Sequence, residues 1–201
     1  MKKTCLLFAV LILAAVGLSA QTNPYSPAGP APAVQTEKQR LSAMVFARFG
    51  LFSPSDGFFK SIYGNGFIAG LEGRIHIIDN FFVSLEGGFF QKTGALTVTQ
   101  EKTTLTISPL DVMAVYHIRL SGIFSPYVGA GGSLCLYKEK NALGVAKDSG
   151  FGPALCGGIT ARWGSFGVDA RLKYSSVKIK PFDLEAGLGG LTLSIAAGVI
   201  F

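Results

Sequence analysis

From Leu41 to Phe201 the chain alternates apolar and polar positions with a period of two, the spacing of strands whose two faces meet different surroundings. No helical period persists there for more than a turn or two. The alternation is plainest where Phe166, Val168, Ala170, Leu172 and Tyr174 fall on one side and Asp169, Arg171 and Lys173 on the other. It recurs in eight segments, spanning 41–51, 67–77, 81–89, 110–118, 124–136, 151–163, 166–174 and 191–201. None of the apolar faces carries a charge. Alternation alone fits a soluble barrel, a sandwich or a membrane barrel equally well.

Three further features separate these. The connections alternate between short (Asp79-Asn80, Gly164-Ser165, and 120–123) and long (53–65, 93–103, 138–150 and 176–189), as in barrels with tight periplasmic turns and longer outer loops. Phe81, Tyr116, Phe124, Trp163, Phe166 and Phe201 gather near the short turns, and Phe49, Phe67, Phe89, Phe151 and Tyr174 near the long connections, making two aromatic girdles. Strands of about ten residues tilted by about 40° span close to the ~25 Å apolar band. The predicted fold is all-β: an eight-stranded antiparallel up-and-down transmembrane β-barrel over 41–201, in the cell outer membrane.

The first forty residues do not share the pattern. Lys2 and Lys3 precede an unbroken apolar run from Cys5 to Leu18, and Leu18-Ser19-Ala20 offers a cleavage site, so 1–20 reads as a secretory signal peptide. The run is too short for a bilayer-spanning helix. Residues 21–40, with Pro24, Pro27, Pro30 and Pro32, read as a Pro-rich periplasmic leader.

Composition narrows the class further. Of 201 residues, 49% are hydrophobic and only 15% charged, with 26 Gly and 16 Phe, which excludes a disordered chain and a coiled coil. The net charge of +6 is too diffuse for a nucleic-acid module with a dominant basic face, so no nucleic-acid partner is expected.

The segment Ser125-Pro126-Tyr127-Val128-Gly129-Ala130-Gly131-Gly132, with the strand that follows it, resembles the fifth strand of the small outer-membrane protein beta-barrel domain family, the OmpA/OmpX-like eight-stranded barrels. The closing Leu191–Phe201 resembles their last strand. The resemblance implies that Phe201 is an assembly signal read by the barrel assembly machinery, and that the protein is not an enzyme. It further implies a role in envelope integrity or in surface interaction through long outer loops, with outer-membrane lipid, lipopolysaccharide and an unidentified surface protein as partners. Relatives of the OmpW kind imply an alternative, porin-like or side-opening passage of small hydrophobic compounds; a lipid A-modifying barrel enzyme is the third reading. Ile200 stands where members often carry a polar residue, and no peptidoglycan-binding domain is expected after Phe201.

The inward side then carries Arg48, Arg74, Arg162, Arg171 and Lys173 against Glu72, Glu86, Asp111 and Asp169. An eight-stranded barrel is only wide enough for its own side chains, so these groups are expected to form a paired interior charge network rather than line a channel. His76 and His117 both precede short turns, far from an outer-leaflet substrate, and a structural role bonding a neighbouring carboxylate is expected of them. Cys135 and Cys156 share the inward parity on neighbouring strands. An oxidising compartment permits a disulfide and strand geometry contests it, which leaves a bond or two buried thiols. Gly64-Asn65-Gly66-Phe67-Ile68-Ala69 matches a loose dinucleotide pattern without its βαβ surroundings. No Cys/His set has zinc spacing. No catalytic residue, cofactor or metal is expected.

Overall fold

The computed structural model describes residues 43–95, 102–118, 120, 122–142, 144–179 and 186–201. The signal peptide and Pro-rich leader expected over 1–40 lie outside the described residues. Eight strands close into an antiparallel barrel: β1 (Ala43–Pro54), β2 (Gly66–Ile78), β3 (Phe81–Ala95), β4 (Lys102–His117), β5 (Phe124–Asn141), β6 (Gly144–Trp163), β7 (Phe166–Ser175) and β10 (Gly190–Ile200). Each pairs with its sequence neighbour, and β1 pairs with β10 from Met44↔Ile200 to Pro54↔Gly190, so the wall has no open edge. A short helix α1 (Gly57–Tyr63) lies between β1 and β2, and a two-stranded ribbon of β8 (Lys178–Ile179) and β9 (Ala186–Gly187) lies between β7 and β10.

The period-two pattern sets which way every side chain points. Phe49, Leu71 and Ile195 are 63%, 65% and 66% exposed on the outside, while Arg48, Glu72 and Ser194 beside them in sequence are 3%, 1% and 2% exposed. This is an inside-out protein relative to a soluble one: the continuous apolar surface faces away from the barrel axis, as a hydrocarbon solvent requires. Asp79 takes a left-handed φ of 49° in the tight β2–β3 turn, and Gly164 one of 59° in the β6–β7 turn.

Three of the expected loops carry regular structure. The strands β3 to β6 run well past the apolar band, so 138–150 is a hairpin that turns only at Asn141↔Gly144, and β4 starts at Lys102 rather than Leu110. Beyond the band the outward positions become Thr, Gln and Lys while the inward ones mix apolar Phe90, Leu105, Ile107 and Tyr137 with polar Thr103 and Glu139, and that polar outer face reads like a loop in sequence. The 53–65 connection contains α1, capped by Asp56, whose Oδ1 accepts from Phe59 N–H at 3.0 Å.

Inside the barrel two apolar clusters flank an ionic layer. Toward the short turns lie Met44, Phe46, Phe82, Met113, Val115, Tyr127, Cys156 and Ile200. Toward the long connections lie Phe52, Phe90, Leu105, Ile107, Cys135 and Tyr137 from the wall, joined by Phe59 and Tyr63 of α1 and by Val177, Ile179 and Leu188 of the β7–β10 connection. That connection folds into the barrel mouth because Gly152 has no side chain: a Cβ there would overlap the Ser176 carbonyl oxygen. Ser176 N–H donates to Pro153 O at 2.9 Å, which pins the segment to β6.

Candidate functional site

Eight buried charged side chains occupy the middle of the lumen. Glu72 on β2, Glu86 on β3 and Asp111 on β4 stand directly opposite one another in the register, so three carboxylates share one wall. Alone they would repel. Arg48 on β1, Arg74 on β2, and Arg171 and Lys173 on β7 supply the countercharge, and Asp169 on β7 makes the count four acids to four bases. The interior is therefore electrically neutral, the condition under which buried charges are tolerable.

Some pairs run along the wall, Arg48–Glu72 and Arg74–Glu72 among them, and others cross the lumen. Arg171 pairs with Glu86, and β7 and β3 are diametrically opposed in the strand order. Lys173 bridges Glu86 at 3.0 Å and also pairs with Asp111. Arg48 pairs with Glu72 and meets Asp169 at 2.8 Å. Arg74 Nε donates to Glu72 at 2.8 Å and its Nη2 lies 3.3 Å from Asp169. Three neutral donors complete the shells: Ser84 to Glu72 at 2.7 Å, Thr160 to Asp169 at 2.8 Å and Tyr127 to Asp169 at 2.9 Å. Arg74 also stacks over the Tyr127 ring, 4.4 Å from its centroid. Gly158 makes room for that ring, since a Cβ there would sit 2.5 Å from the Tyr127 hydroxyl.

Of the nine charges singled out in the sequence, the structure brings eight together and leaves Arg162 out. Arg162 pairs with Gly167 beside the Gly164-Ser165 turn, beyond the ionic layer, and its side chain is exposed. Parity alone places it inside; its height at the barrel rim places it in solvent. Tyr127, Thr160, Ser84 and Ser194 belong to the cluster but carry no charge to draw attention, and their shared inward parity is the one sequence signal for them.

The two cysteines are free and buried. Cys135 lies opposite Gly150 and Cys156 opposite Gly129. Six positions of offset at about 3.3 Å per residue put them roughly 20 Å apart along the strands, far beyond disulfide reach, so the bonded alternative is wrong. His117 is buried, but its partners are the Ser125 hydroxyl at 3.0 Å and Arg74 Nη1 at 3.5 Å, not a carboxylate; it also stacks on Tyr127. His76 is held to the Asp79 carbonyl at 2.7 Å. Phe201 is exposed, with its N–H donating to Ala43 O at 2.8 Å across the barrel closure.

At the mouth on the side of the long connections a second, smaller polar set ties α1 to the wall. The Tyr63 hydroxyl lies 3.2 Å from Thr103 Oγ1, which donates to Glu139 at 2.8 Å, and Tyr137 donates to the other oxygen of Glu139. Burial, with nearby Glu139 adding to it, pushes the Tyr63 phenol above its ordinary range, so it stays a neutral donor. Between this plug and the ionic layer is a cavity of about 20 Å³, lined by Phe52, Phe90, Pro109, Ser133, Lys173 and Leu188, room for about one water. Among the described residues no group of three His, Cys, Asp or Glu is placed to hold a metal.

No protein-family model matches the sequence, and no curated protein matches it. Solved structures do. The chain is similar to Neisserial surface protein A (TM-score 0.59, 17% identity, 80% of this chain and 97% of that one). It is similar to Ail, the attachment invasion locus protein of Yersinia pestis (TM-score 0.52, 18% identity, 80% and 98%). It is also similar to the outer membrane protein AlkL in lipid bilayers (TM-score 0.50, 16% identity, 90% and 97%). The fold is that of the small eight-stranded outer-membrane barrels.

Proposed function

We propose that this protein is an integral outer-membrane barrel, exported by a cleaved signal peptide and inserted by the barrel assembly machinery through its terminal Phe201. It acts without enzymatic chemistry, in envelope integrity or surface contact, through the parts that extend beyond the membrane. The single observation that carries this is the set of ion pairs spanning the lumen from β7 to β3 and β4. A lumen crossed by bonded charges and stoppered by an apolar plug offers solutes no route, so what remains for function is the outside. The working surface is then the four-strand extension of β3 to β6 with α1 and the β8–β9 ribbon. Attachment, the activity for which the similar Yersinia pestis barrel is named, is of that kind.

The test replaces 139–146 with a two-residue Asn-Gly turn in cells deleted for the gene. The shortened barrel is expected to insert and to keep its heat-modifiable gel mobility, while failing to restore the barrier to large antibiotics or the adhesion lost on deletion. Full restoration by the shortened barrel contradicts the proposal.

One feature favours passage of small hydrophobic compounds instead. The β3–β4 ladder lapses between Gly87↔Leu110 and Phe90↔Ile107, where Pro109 has no N–H to give, and Pro109 also lines the apolar cavity. That reading requires protein-dependent uptake of a labelled alkane, which the surface reading does not.

A further inference from the structure

The extended sheet has a one-sided charge that the interior does not explain. Counting outward from the membrane band, its outer face presents Phe89, Ser108, Leu136 and Ser149 in one cross-strand row. The next row is Gln91, Thr106, Lys138 and Lys147, and the one after is Thr93, Thr104, Lys140 and Val145. Lys102, opposite Ala95, follows. All four lysines are exposed, and none has an ion-pair or hydrogen-bond partner among the described residues. The acids of the same strands, Glu139 and Asp148, have the opposite parity, and Glu139 is already held by Thr103 and Tyr137. Lys138 and Lys147 face each other directly across the β5–β6 pair, an arrangement with Cβ atoms about 5 Å apart that is destabilising unless an anion sits between them.

Height identifies the anion. The lysines begin one outward position beyond Leu136 and two beyond the row of Leu134 and the 74% exposed Phe151, on the outer face just past the apolar band, where headgroups rather than acyl chains would meet their ammoniums. The other half of the wall has no counterpart: β7 ends at Ser175 opposite Ala154, seven residues short of Lys147, and β10 begins at Gly190 opposite that same Ser175. We infer that Lys138, Lys140, Lys147 and Lys102, with the Thr104 and Thr106 hydroxyls between them, form a docking site for the phosphates of outer-leaflet lipid headgroups. The inference rests on the outer-membrane reading, with the long connections outside, and gives that reading a lipid partner and an address.

The protein, purified from membranes, is placed in phosphatidylcholine nanodiscs with either bisphosphorylated lipid A or its dephosphorylated counterpart, and retained lipid is measured by native mass spectrometry. A lysine near an anionic surface is worth roughly fivefold in affinity, so removing two is expected to cost about twenty-five-fold. Wild type is expected to retain the bisphosphorylated lipid preferentially, Lys138→Gln with Lys147→Gln to lose that preference, and the control Lys60→Gln with Lys92→Gln to keep it. Stability gives a second readout. With dephosphorylated lipid the Lys138/Lys147 double variant unfolds at higher urea than wild type, because a like-charge pair is gone; with phosphorylated lipid the order reverses. Equal retention of the two lipids by wild type, equal loss in both double variants, or displacement of lipid A by inorganic phosphate at the same concentration overturns the inference. Normal insertion without phosphate preference sinks this inference alone, whereas failure to insert sinks the outer-membrane reading beneath it.

Discussion

A single side chain decides whether the ionic layer is a stabilising network or a liability. Asp169 receives Arg48, Arg74, Tyr127 and Thr160. Asp169→Ala leaves two guanidiniums sharing one fewer carboxylate in a dry interior, and breaking a buried pair in this way costs about 3–5 kcal/mol. Arg162 has the same inward parity but stands in solvent, and Arg162→Gln is expected to change stability by less than about 0.5 kcal/mol. Urea unfolding of the two variants in lipid vesicles checks both, and equal losses would contradict the placement of Arg162. The pair also shows how far residues can be read from sequence. Parity locates every member of the network, because a strand's two faces are fixed by the backbone. Distance along the barrel axis is not legible, because it depends on strand stagger; that is why parity groups Arg162 with the network and sets Cys135 and Cys156 within apparent reach of each other.

At the level of elements, the interior is closed by segments that sequence patterning treats as loops. The eight strands are legible because lipid demands an uninterrupted apolar outer face. α1, the β8–β9 ribbon and the upper parts of β3 to β6 are not, since outside the band that demand lapses and the outward positions turn polar. Inward Leu105, Ile107 and Tyr137 are apolar still, and they are the remaining trace of the strands. The plug hangs on Gly152: a side chain there collides with Ser176, so Gly152→Val is expected to expel 176–179 from the mouth. Limited trypsin digestion of intact cells should then cut the variant after Lys178 at least about ten times faster than wild type, a gain that follows if releasing the segment removes little more than 1.4 kcal/mol of protection. Unchanged cleavage would show that the segment is not held by its packing on β6. Retained heat-modifiable mobility would show that the barrel itself is intact.

For the molecule as a whole, one physical condition organises everything: grease turned toward lipid forces polarity inward, and a lumen eight strands wide forces that polarity to neutralise itself. Four acids and four bases meet in the lumen, an apolar cluster flanks them on each side, and the β3 to β6 extension carries its polar outer face beyond the apolar band. The reading of this protein as a surface component depends on that closure. Ion conductance of the purified protein in planar bilayers tests it most directly. A barrel whose Arg171–Glu86 and Lys173–Asp111 pairs bridge its lumen is expected to insert without producing conductance steps above the bare membrane. Stable steps of porin size from the wild-type protein would contradict it.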